Sequence, residues 1–158
     1  MKTAKRDDYM SRKEQLFADL KTAMKEKDTL RKDTVQLIRS GILQIEKDEK
    51  VELDDEGVLD VIVKQLKSRR DSLPEYEKSG RTDLVEKLNK EIEILLNYLP
   101  EQLSEDEIKK IVEDAVKEAG AQSIKDMGKV MAIVTPKVKG CADNKIVGSF
   151  VKNMLQGK

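Results

Sequence analysis

The side chains with chemistry to offer in this chain are lysines. Lys125, Lys129, Lys137, Lys139, Lys145 and Lys152 fall within residues 123–158. Together with Lys158 they are balanced there only by Asp126 and Asp143, so the segment is net +5 and the other 122 residues are net −5. A chain of zero formal charge therefore has one cationic end. Ammonium groups at this density suit phosphate oxygens, and the simplest such partner is a nucleic acid. Gly128 and Gly140 stand among them, where a missing side chain lets a phosphate backbone come close. A solvated lysine face with no ligand accounts for the same charges. Phe150 is the one aromatic of the segment and occupies a core position, so stacking on unpaired bases is poorly supported. A reader of backbone and shape in folded RNA is the more consistent expectation.

Other chemistry is hard to assemble. There is no histidine, which removes Ser-His-Asp and Cys-His pairs and every imidazole metal ligand. One cysteine cannot build a thiolate cluster. The eight glycines fit neither GxGxxG nor GxxxxGK[ST], so no phosphate-cradling loop is legible. The acidic triplets Asp54-Asp55-Glu56 and Glu105-Asp106-Glu107 open expected helices, where the backbone dipole favours acids without any catalysis. Cys141, beside Lys139 and close to a helix start, could have a lowered pKa, but a small turn residue without chemistry is the simpler reading. A second basic group, Lys64, Lys67, Arg69, Arg70 and Arg81, is diluted by Asp71, Glu75 and Glu77 and reads as ion-paired or solvated helix surface. No catalytic residue, metal or cofactor is expected.

The elements that carry these residues are helices. Charged residues make up 39% and aromatics 3%, a composition suited to thin bundles with an aliphatic seam and a Lys/Glu exterior. Residues 1–10 read as a disordered tail. Ser11 to Glu14 is a capping box opening a helix to about Lys27, with Leu16, Phe17, Leu20, Ala23 and Met24 as its stripe. A second helix runs from about Leu30 to Glu46 with Val35, Ile38, Ile42 and Ile45 inward. Asp54 caps a third, which Pro74 is expected to kink or break. Thr82 caps a fourth, lined by Leu84, Val85, Leu88, Ile92, Leu95, Leu96 and Leu99. Pro100 marks a boundary. Ser104 to Glu107 is a second capping box, and Gly120 closes the fifth helix. Two short helices follow, joined by a turn: Pro136 is expected to end the first, Gly140 to take a left-handed backbone and Asp143 to cap the second, with Ile146, Val147, Phe150, Val151, Met154 and Leu155 inward. The expectation is an all-α protein: a bundle of about four helices over residues 11–99 and a small three-helix domain over 101–156.

The unpaired cysteine excludes an internal disulfide and makes a reducing compartment the default. The charged opening MKTAKRDDYM is not a secretory signal, and the longest apolar run, Val130–Val134, is too short to span a bilayer. A cytoplasmic protein without membrane contact is expected.

Read together, several stretches resemble the GatB/YqeY family and, within it, the free-standing YqeY-like proteins. They are Lys67-Ser-Arg-Arg-Asp-Ser72, Gly80-Arg-Thr-Asp-Leu84, Tyr98-Leu-Pro-Glu-Gln-Leu-Ser104, Asp126-Met-Gly-Lys-Val-Met131 and Pro136-Lys-Val-Lys-Gly140 with Ala142-Asp143. The resemblance runs from about residue 11 to the end. It implies a helical N-terminal domain and a smaller helical domain similar to the tail of the B subunit of tRNA-dependent amidotransferases, a tail that helps hold tRNA while chemistry happens elsewhere. By that likeness the chain is a non-catalytic tRNA-binding accessory module. Alternatives are an adaptor for an aminoacyl-tRNA synthetase or amidotransferase subunit, and an enzyme of amide transfer from glutamine, a carbon–nitrogen ligase. Where the family pattern has an arginine and a glycine in the turn, this chain has Cys141 and Asn144. The lost guanidinium is a lost candidate phosphate contact.

Overall fold

The structure, a computed structural model, describes residues 10–157. The tail expected over residues 1–10 lies, Met10 apart, outside them. Among the described residues the chain forms seven α-helices and no strand: α1 Arg12–Lys25, α2 Thr29–Glu49, α3 Asp55–Lys78, α4 Thr82–Leu96, α5 Glu105–Ala119, α6 Met127–Val138 and α7 Asn144–Gln156. It divides into two compact units, the first ending at Leu99 and the second beginning at Pro100.

In the first unit side-chain caps set the helix starts. The Ser11 hydroxyl accepts from the Glu14 N–H at 3.1 Å while the Glu14 carboxylate accepts from the Ser11 N–H at 3.2 Å. Asp28 and Asp54 cap α2 and α3 by accepting from the Arg31 and Gly57 N–H groups. Thr82 is not a cap: α4 starts there behind Arg81, after Gly80 at φ +71°. The core is Leu16, Leu20, Val35, Ile38, Ile42, Val58, Val61, Ile62, Leu66, Ile92, Leu95 and Tyr98. Each fully buried Leu or Ile contributes about 1.5–3 kcal/mol. Phe17 and Met24, expected in that seam, are instead exposed.

Pro74 does not break α3, which continues to Lys78. Pro74 is exposed, so its ring crowds no neighbouring helix. Helical bonding resumes after it, with the Ser79 N–H donating to the Glu75 carbonyl. The basic group on α3 is engaged as expected: Arg69 Nε meets Glu91 Oε2 at 2.9 Å, both largely buried, and Lys67 meets Asp71 at 3.3 Å.

One clasp ties the end of the unit to its beginning. The Tyr98 hydroxyl donates to Asp19, the Arg12 guanidinium donates to the Tyr98 carbonyl, and Arg31 lies 3.8 Å from Asp19. Burial and the Asp19 carboxylate push the Tyr98 phenol well above its ordinary pKa. A second tie is Glu46, which accepts from the Lys13 ammonium and the Leu53 N–H; these two bonds hold its carboxyl below the ordinary range.

In the second unit Ser104 and Glu107 form the other capping box, and Gly120 at φ +62° ends α5. Pro136 does not end α6, which runs on to Val138. The reason is packing. Val130, Val134 and Val138 recur at four-residue steps and are all fully buried, which requires helical register through the proline. They meet Ile108, Val112, Ala115 and Val116 of α5 and Val147, Val151 and Leu155 of α7. Ile146, expected inward, is exposed.

Two outcomes follow. Tyr98→Phe loses about 1–2 kcal/mol in urea unfolding. Because the folded phenol ionises later than the unfolded one, that contribution is complete below about pH 10 and declines above it, so the two proteins converge in alkali. Glu46→Gln lowers the urea midpoint at neutral pH. The Glu46 contribution exists above the unfolded carboxyl pKa of about 4.3 and fades as pH falls through the lower folded value, so wild type and variant converge in acid.

Candidate functional site

The second unit separates its charges by element. Helices α6 and α7 carry Lys129, Lys137, Lys145 and Lys152 and no acid, whereas α5 carries six acids, Glu105, Asp106, Glu107, Glu113, Asp114 and Glu118, against three lysines. From Pro100 onward ten basic and nine acidic side chains leave only +1. The cationic segment read from the sequence is thus folded against an acidic helix of its own unit, whose Ala115 and Val116 share a core with α6 and α7.

The lysines differ in how committed they are. Lys137 Nζ lies 3.6 Å from Glu118 Oε2 on α5. Lys129, on an exposed side chain, lies 3.9 Å from Asp126 Oδ1. That carboxylate is fixed by the Gln122 N–H at 2.9 Å, which lowers its pKa with help from the Ser123 N–H and Lys129. Asp126 therefore already supplies an anion at the head of α6. Lys125 is exposed in the 3₁₀ turn Ile124–Asp126, and Lys139 is half-buried after α6. Lys145 and Lys152 are exposed on α7, seven residues and therefore two turns apart on one side, about 10 Å along the axis.

The two glycines play different parts. Gly128 sits in the first turn of α6, exposed, and a Cβ there would meet nothing within 4 Å, so the fold itself does not require glycine. Gly140 is buried at φ +76°, the left-handed region expected of it. Its carbonyl accepts from Gln102 Nε2 at 2.7 Å, and the Cys141 carbonyl accepts from the Leu103 N–H at 2.8 Å. The α6–α7 turn is thereby held by the segment that leads into α5. Sequence reasoning missed Gln102 and Leu103 as positioning residues, because hydrogen bonds across 38 positions leave no periodic trace. Asp143 caps α7 as expected, its Oδ1 accepting from the Lys145 N–H at 3.0 Å. Phe150 is half-buried, with the Lys109 ammonium 5.7 Å from its ring centre.

Among the described residues no group of three or more His, Cys, Asp or Glu side chains is placed to hold a metal, and no helix is long and apolar enough to cross a membrane. What the arrangement can do is attract and position an anion on α6 and α7.

The model of the YqeY-like proteins matches residues 13–155. A curated relative from Pyrenophora tritici-repentis, named altered inheritance of mitochondria protein 41, mitochondrial, is 32% identical over 146 residues, covering 90% of this chain and 80% of that protein. Proteins of the same name from Lachancea thermotolerans and Kluyveromyces lactis are 42% and 49% identical over 92 and 84 residues, which is 58% and 52% of this chain. Those matches span about half the length of each of the two relatives, 49% and 45%. The names overturn the expected cytoplasmic location, since the relatives are mitochondrial. The sequence argument failed because one unpaired cysteine excludes an internal disulfide but does not choose among compartments. A match to the family model across nearly the whole chain, together with the Pyrenophora relative, makes this chain a member of the YqeY-like family.

Proposed function

We propose that the second unit is a non-catalytic RNA-binding module, with tRNA or another structured RNA as its ligand, and that the chain serves as an accessory factor rather than an enzyme. The observation that carries this reading is the acid-free pair α6 and α7 with their four lysines. Lys145 and Lys152 are its main phosphate contacts, because they share one side of α7. Lys129 and Lys137 stand on α6, 3.9 Å from Asp126 and 3.6 Å from Glu118, and add to the same surface charge. Lys125 and Lys139 flank the surface, Gly128 leaves the first turn of α6 bare, and Gly140 holds the turn rather than touching the ligand. With Cys141 where the family pattern has arginine, affinity rests on lysine point charges rather than a guanidinium fork. The family's amide-transfer label finds no support in residue chemistry here: the chain lacks histidine, so its one cysteine has no imidazole to pair with.

Filter binding of bulk tRNA across a salt series tests this. The logarithm of affinity falls linearly with the logarithm of salt, and Lys145→Gln with Lys152→Gln weakens low-salt binding about tenfold and makes the slope shallower by roughly one to two. Salt-indifferent binding, or no binding at low salt, contradicts the reading. Glu118→Gln frees Lys137 and tightens tRNA binding; a merely solvated lysine face leaves all three proteins alike.

A further inference from the structure

The first unit has an unclaimed surface of its own, independent of the RNA reading. Phe17 and Met24 are spaced by seven and fall on one side of α1, and Met10, just ahead of the helix, is exposed as well. Phe17 is 45% exposed, Met24 59% and, across on α2, Leu43 62%. The α1 and α2 parts form one face. The Arg39 guanidinium of α2 lies 4.9 Å from the Phe17 ring centre, and Leu43 is one turn beyond Arg39. A shallow cleft there has Leu16 and Ile42 in its floor and Lys13, Arg39, Leu43 and Glu46 around it. Single exposed apolar residues are ordinary, but a row of them beside an apolar-floored cleft marks an interaction site.

The rim is cationic. Lys21 lies 4.3 Å from the Phe17 ring centre, on the same ring as Arg39. The neighbouring acids are engaged: Glu46 with Lys13 and the Leu53 N–H, Glu14 with the Ser11 N–H. We propose that the outer face of the α1–α2 hairpin docks an acidic amphipathic helix of another protein. Phe17 to Met24 covers two turns of α1, about 10 Å at helical rise, and Leu43 continues the face one turn past Arg39 on α2, a row that an amphipathic partner helix lying along the hairpin can follow. Leu43 and the cleft beside it give an apolar anchor its socket, and Lys21 and Arg39 meet the flanking carboxylates. A second copy is a poor occupant, because a two-fold axis would set cation against cation. Nucleic acid is a poor one too, because its backbone has no aliphatic side chain to fill the cleft beside Leu43, and the Phe17 ring, flanked by two cations, is not open for a base to stack on.

The probe is a synthetic 18-residue helical peptide with a leucine stripe and glutamate flanks, set beside the same stripe with lysine flanks, and titrated into the full chain by fluorescence anisotropy. The acidic peptide binds at least tenfold more tightly than the basic one. Phe17→Ser with Leu43→Ser, and separately Lys21→Glu with Arg39→Glu, each weaken it at least tenfold while helical circular dichroism and tRNA binding are unchanged. All four side chains are partly or fully at the surface, so folding survives; should one pair unfold, the other still decides. Equal binding of the two peptides, or indifference to both pairs of substitutions, overturns the proposal. So do Phe17-dependent self-association in sedimentation and Phe17-dependent flotation with anionic phospholipid vesicles, which assign the face to a second copy or a membrane.

Discussion

The second unit depends on one packing constraint. Its core is narrow and built largely from valine, and three of those valines, Val130, Val134 and Val138, sit on a helix that must keep register through Pro136. A valine has little length to spare, so a slip of one residue would turn the row out of the core. The turn that follows is correspondingly tight. Gly140 takes a backbone conformation that costs other residues about 1 kcal/mol or more, and the Gln102 amide and Leu103 N–H hold the consecutive carbonyls of Gly140 and Cys141 within the reversal. The placement of every lysine on α6 and α7 follows from this arrangement. Position on the helix fixes which side each occupies, and so which acid is near: Glu118 of α5 for Lys137, and Asp126 just before α6 for Lys129.

Electrostatics inside the unit therefore matter more than its total. A segment charge of +5 suggests an undivided cationic clamp, but the folded unit is almost neutral. Its polarity comes from segregation, acids on α5 and bases on α6 and α7. Surface pairs such as Lys137 with Glu118 and Lys129 with Asp126 are worth little in stability and are readily exchanged for a phosphate. They act as a modest tax on anion binding. Lys145 and Lys152 lead the proposed contact because both are exposed on one side of α7.

Much of this was legible in the sequence, and the failures have common physical causes. Capping boxes at Ser11 and Ser104, the aspartate caps at 54 and 143, and the left-handed Gly140 are local chemistry, and they were readable as such. Pro136 misled outright and Pro74 in part, since α3 does not break there; in each case the cost of one lost hydrogen bond was set against local propensity alone. At Pro136 the burial of Val138 outweighs it, and at Pro74, an exposed position, α3 continues to Lys78. Phe17, Met24 and Ile146 look inward-facing by period, yet lie at the margin of their stripes, where only the neighbouring helix decides what is covered. Gln102 and the Tyr98 clasp act across long stretches of chain, so nothing near them in sequence announces their partners.

The two units thus offer separate surfaces: lysines on acid-free helices in one, an apolar stripe with a cationic rim in the other. The account stands or falls on the first. Amide hydrogen exchange of the full chain with and without tRNA at low salt would read it most directly. The account predicts slowed exchange in α6, its following turn and α7, centred on the turns bearing Lys145 and Lys152, with α1 and α2 unchanged. Protection confined to the first unit, or absent throughout while tRNA is bound, would contradict it.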